Sequence, residues 1–148
     1  MQEKKSTAEI KGRLKNYTRL LREIENEEER LELMELETPG GRLTEAKRAR
    51  LESELETMLG EEKEQHAALE HLVSRLDDPD ERAVIRLRYF DQREWDSIVN
   101  AIYGDRVGLC ENPEKFKRRA QKLHGHALLD LAAALGNMEN EQKRQQTE

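Results

Sequence analysis

The 148-residue chain carries 26 basic and 32 acidic side chains, with 39% charged residues against 35% apolar, a balance that excludes a single large hydrophobic core and favours long exposed helices. Its one cysteine, Cys110, excludes an internal disulfide framework and fits a reducing compartment with a buried or inert thiol. The lack of a long apolar run and of a hydrophobic leader predicts a cytoplasmic protein with no membrane association.

The net charge of −6 argues against nucleic acid only if it is spread evenly. It is not: Lys115, Lys117, Arg118, Arg119 and Lys122 follow one another with no acid between Glu114 and Asp130.

From Ile10 the apolar positions run Ile10, Leu14, Tyr17, Leu21, Ile24 and Leu31, in steps of three and four with Glu28 at the missing position. This is a heptad seam. Thr38-Pro39-Gly40-Gly41 ends it, because proline lacks a backbone donor and glycine tolerates positive φ. A second helix, capped by Thr44, carries Leu51, Leu55, Met58, Leu69, Leu72 and Leu76 in the same rhythm, interrupted by Glu62 and Gln65. Residues 1–76 therefore predict a long helical hairpin or coiled coil serving as an assembly or spacer element. The periodicity is satisfied equally by closure within one chain or pairing between two. The narrow stripe favours a homodimer through these N-terminal helices, with Glu28, Glu62 and Gln65 setting register.

Residues 77–136 predict a separate three-helix domain. Asp78-Pro79-Asp80-Glu81 opens a helix, Asp78 accepting from the Glu81 N–H while Glu81 reaches back, and Val84, Ile85, Leu87, Tyr89 and Phe90 make that helix largely buried. Trp95, Ile98, Val99 and Ile102 give a second helix one apolar face, ending at Gly104. After a connection over 104–112, Asn112-Pro113-Glu114 starts a long final helix. Gly136-Asn137 predicts its stop, leaving 137–148 as a flexible tail.

At about 100° per residue, Phe116, Ala120, Leu123, Ala127 and Leu131 share one arc of the final helix, its buried face. Lys115, Arg118, Arg119 and Lys122 share another, with His126 beside them and Lys117 apart. Cations in the first turns of a helix that follows a short capped helix are where helix-turn-helix proteins contact duplex DNA, and the acidic remainder of the surface would confine docking to that face. The fold class expected is all-α, with a C-terminal helix-turn-helix.

The segment Glu81-Arg82-Ala83-Val84-Ile85-Arg86-Leu87-Arg88-Tyr89-Phe90, followed by Glu94-Trp95-Asp96-Ser97-Ile98-Val99, resembles region 4 of sigma-70-type transcription factors. Lys122-Leu123-His124-Gly125-His126-Ala127-Leu128 resembles the phage- and prophage-encoded sigma-like regulators of the ArpU and RinA type. The resemblance covers about residues 77–135 and implies transcription regulation, promoter-DNA binding by the Lys115 to Lys122 helix, and contact with RNA polymerase. The connection before that helix is longer than the family's, and nothing matches sigma region 2, so the resemblance implies a regulator rather than a complete sigma factor.

Catalytic and metal chemistry find no support in the spacing. His124 and His126, two residues apart, point about 200° away from each other on a helix. His66 has Glu62 and Glu70 four residues to either side but no second histidine at helical spacing. No nucleophile and base pair or phosphate-cradling glycine loop stands out, so no enzyme and no cofactor are expected. Two other readings compete with regulation: a DNA-packaging protein like a phage small terminase subunit, and a helical adaptor whose cations meet an acidic protein.

Overall fold

The computed structural model describes residues 2–37 and 42–146, with side chains over 7–36 and 45–146. The predicted turn at Thr38 to Gly41 and the side chain of Thr44 lie outside the described residues. Among these the chain is all-helical, with five helices: α1 (Gln2–Glu37), α2 (Arg42–Val73), α3 (Pro79–Ile85), α4 (Trp95–Tyr103) and α5 (Pro113–Gln146). α3 runs on through a π-helical turn at Arg86–Phe90. No helix among the described residues is long and apolar enough to cross a membrane. The chain divides into two compact units, residues 16–68 and residues 1–15 with 69–148.

In the unit 16–68, Tyr17, Leu20, Ile24 and Leu51 are buried. Leu21 and Leu31, predicted for the seam, are only half-buried, and Leu20 takes the inward place. A straight helix of 3.6 residues per turn drifts against a strict seven-residue repeat, so the buried stripe moves to a neighbouring position. Glu62 is held in the seam by Tyr17, whose hydroxyl donates to its Oε1 at 2.7 Å. Burial, reinforced by that carboxylate, pushes the Tyr17 phenol well above its ordinary range. Arg48 pairs with Glu35, adding a second tie between α1 and α2. α2 begins at Arg42, so Thr44 sits inside the helix rather than at its cap. Leu33 and Leu36 of α1 and Leu59 of α2 remain exposed.

In the other unit, Leu72, Val73, Leu76, Val84, Ile85, Ile98, Leu128 and Leu131 are buried, as are Ile10 and Leu14 from the start of α1. Arg82 donates to the carbonyls of Leu76 (2.6 Å) and Asp77 (3.2 Å), closing the turn between α2 and α3. Arg86 grips both carboxylate oxygens of Glu70, a bidentate pair that fixes α3 to the end of α2. Asp78 caps α3 as expected in kind, but its side chain accepts from the Asp80 N–H at 2.9 Å rather than from Glu81. Glu81 turns inward instead and is 6% exposed. Glu81 lies in the first turn of the seven-residue α3 and is buried with Val84 and Ile85 of the second.

α5 also departs from expectation. It passes through Gly136 and Asn137 without stopping and continues to Gln146. A glycine in a helix interior costs only about 1 kcal/mol against alanine, and here Leu135 is buried just before it while Arg75 reaches Glu141 beyond it at 3.2 Å.

Candidate nucleic-acid interface

The N-terminal half of α5 is seated by a small apolar cluster. Val99 of α4 and Phe116 and Ala120 of α5 are buried together, with Trp95, Tyr103 and Leu109 packed against them. Asn112 caps the helix through its Oδ1, which accepts the Lys115 N–H at 3.3 Å, and Pro113 takes the first helical position where a missing N–H costs nothing.

With Phe116 and Ala120 turned inward, the helical repeat directs the cations outward. Lys115, Arg118, Arg119, Lys122 and His126 are all exposed, and Lys117 is half-buried away from them. The structure therefore brings together on one open surface the side chains that the wheel grouped. The Arg119 guanidinium lies 5.4 Å from the centroid of the Phe116 ring, a cation–π contact that limits its freedom. Among the described residues none of the four Lys and Arg side chains is in an ion pair. Their charge stays available to an anion.

The connection 104–112 is built rather than loose. Arg106 N–H donates to the Tyr103 carbonyl (2.9 Å), Leu109 N–H to Arg106 (3.4 Å) and Asn112 N–H to Gly108 (3.0 Å). Gly108 sits at φ +93°, a conformation that side-chain-bearing residues rarely adopt. Leu109 packs on the apolar cluster, whereas Val107 is fully exposed. Cys110, expected buried or inert, is exposed in this connection, because its neighbour Leu109 takes the single inward place. Tyr103 contacts Phe116 ring to ring at 5.5 Å. Burial, with Asp80 adding to it, pushes the Tyr103 phenol up, against an opposing pull from Arg119 and Arg106.

Two groups of functional interest escaped the sequence reading. His124, weighed there only as a metal ligand, bonds the Tyr89 hydroxyl through Nε2 at 2.6 Å and stacks on that ring at 5.6 Å. Trp95 meets it edge-on at 5.5 Å, and Arg88 covers Trp95 at 4.9 Å. Burial lowers the His124 proton affinity, and the charges of Arg88 and Lys11 lower it further. Its place on the wheel, at the margin of the buried arc, was the available signal. The second group surrounds a cavity of about 660 Å³ lined by Arg75, Asp77, Asp78, Glu81, Asp130 and Glu141, among others. Burial and then the Asp130 carboxylate, which hydrogen-bonds it, push Glu81 up to about 7. No group of three or more His, Cys, Asp and Glu among the described residues could hold a metal ion.

Compared with protein-family models, curated proteins and solved structures, the chain matches none.

Proposed function

We propose that the protein is a sequence-specific DNA-binding transcriptional regulator of phage or prophage genes, with α4 and α5 as a helix-turn-helix and α5 as its recognition helix. The observation that carries this reading is the face formed by Lys115, Arg118, Arg119 and Lys122: exposed, outside any ion pair among the described residues, and on the first turns of a helix seated on α4 through Phe116 and Ala120. Phosphate contacts by such cations supply affinity and register, while the same turns of a recognition helix reach base edges. The likeness of residues 81–99 to sigma region 4 supports promoter DNA as the target and RNA polymerase as a second partner. In this reading α1 and α2 form a helical hairpin that joins two copies of the chain, through the leucines left exposed on it.

Fluorescence anisotropy with labelled duplex tests the assignment. Wild-type affinity should fall steeply with salt, since each neutralised phosphate contributes a slope of about −0.9 in log K against log salt. Arg118→Glu combined with Arg119→Glu should abolish binding while leaving the far-ultraviolet circular dichroism unchanged, both side chains being exposed. Equal binding by wild type and the double variant would sink the assignment.

A further inference from the structure

The four cations of α5 do not stand alone at their end of the helix. The connection 104–112 has an ordered backbone path, held by its three hydrogen bonds and anchored by Leu109, and it carries Arg106 and Val107 outward. A single exposed valine is ordinary. What distinguishes this one is where its segment is fixed. Arg106 is hydrogen-bonded through its backbone to Tyr103, Tyr103 contacts Phe116, and Arg119 lies over that same Phe116 ring. A short chain of contacts thus joins the root of the connection to the first turns of α5. The two acids of the segment, Asp105 and Glu111, stand next to its ends, and Val107 and Gly108 between them are uncharged.

We propose that the connection 104–112 is a second DNA-contacting element, with Arg106 on a backbone phosphate neighbouring the one that Arg119 meets and Val107 against the deoxyribose of the same strand. This rests on the DNA-binding reading of α5 and extends it. The extra length before the recognition helix then has a use: it widens the footprint along the backbone by one cation and one apolar contact. Guanidinium chemistry suits the first role because it bonds phosphate in a planar fork, and a branched aliphatic suits the second because the sugar offers the apolar surface of the backbone. Asp105 opposes the contact, so its neutralisation should strengthen binding.

The test is a salt titration of the full-length chain against a fluorescein-labelled duplex of mixed sequence, followed by anisotropy. Arg106→Ala should weaken binding several-fold at low salt and reduce the salt slope by about one. Arg106→Lys should keep the slope. Val107→Ser should weaken binding without changing the slope, and Asp105→Asn should tighten it. The three side chains replaced, Asp105, Arg106 and Val107, are exposed and outside the apolar cluster, and Arg118→Glu with Arg119→Glu serves as the reference for lost binding. If the reference variant loses binding while Arg106→Ala keeps both wild-type affinity and slope, the connection faces something other than DNA and this inference falls, leaving the role of α5 intact. If the wild type does not bind the duplex at all, both fall together.

Discussion

Glu81 shows how one side chain can leave its expected place and change what the fold responds to. Placed by its sequence motif to close a capping box, it is instead buried beside Asp130, with Asp77 and Asp78 also facing it and Arg75 and Glu141 lining the same cavity. Its folded value near 7 lies above the ordinary 4.5, so the folded chain holds this proton more tightly than the unfolded chain. The resulting stability is complete below the ordinary value and drains away as pH rises through about 7. Glu81→Gln keeps the shape and removes the charge. Its melting temperature should exceed that of the wild type by a few degrees at alkaline pH, with the difference shrinking as the pH is lowered towards 5, about the ordinary carboxyl range. A pH-independent difference in a melting series would show that Glu81 does not titrate in this range. The capping motif was legible; the inward turn of Glu81 was not, because it depends on Asp130, about fifty residues further along the chain.

At the scale of elements, helix existence followed from pattern and punctuation, while junctions followed from tertiary contacts. Pro79 and Pro113 open α3 and α5 as their sequence context requires, and the inward face of α5 matches the wheel at Phe116, Ala120, Ala127 and Leu131, while Leu123, expected there, is only half-buried. The π-helical turn was not legible. It carries a wider hydrogen bond, from the Asp91 N–H to the Arg86 carbonyl at 3.0 Å, and Gln92 follows in the left-handed region at φ +54°. Such wide turns recur at functional sites, and this one carries Arg88 and Tyr89 into the cluster with Trp95 and His124. Tyr89 is thus a pin between α5 and the end of α3. Tyr89→Phe should cost about 1 kcal/mol in urea unfolding, the net worth of one hydrogen bond. Because burial, then Arg88 and Lys11, hold His124 below its ordinary 6.5, the fold favours the neutral ring. That contribution is present above the ordinary value and is lost as pH falls through the folded one. The His124 ring resonances should therefore titrate with a midpoint below 6.5; a midpoint at or above that value would contradict the buried, cation-faced setting.

At the scale of the whole molecule, charge is divided along the same lines as the fold. Residues 16–68 carry 15 acidic and 8 basic side chains, and the remainder carries 17 and 18. The acidic total that argues against DNA binding therefore belongs to one unit, and the unit containing α5 is close to neutral, with four of its cations, Lys115, Arg118, Arg119 and Lys122, sharing one exposed face. Like-charged arms would repel one another, so the proposed pairing of two copies must draw on apolar contact. Among the described residues of α1 and α2, Leu33 at 54% and Leu36 at 80% exposure are the most exposed leucines able to provide it, with Leu59 next. Sedimentation equilibrium should return twice the 17.3 kDa chain mass, falling to the monomer for Leu33→Glu with Leu36→Glu; a monomeric wild type would remove the dimer from the proposal. Periodicity did not reach these leucines: it singled out the seam ending at Leu31, which pairing within a chain and between chains buries alike, and Leu33 and Leu36 lie outside it. The exposed position of Cys110 has a separate consequence. As the chain's one sulfhydryl, set in the connection that leads into α5, it gives the molecule a single chemical address beside its proposed working surface. A thiol-specific dye would attach at one atom only, and its emission would report the arrival of a ligand at that end of the protein without any engineered handle.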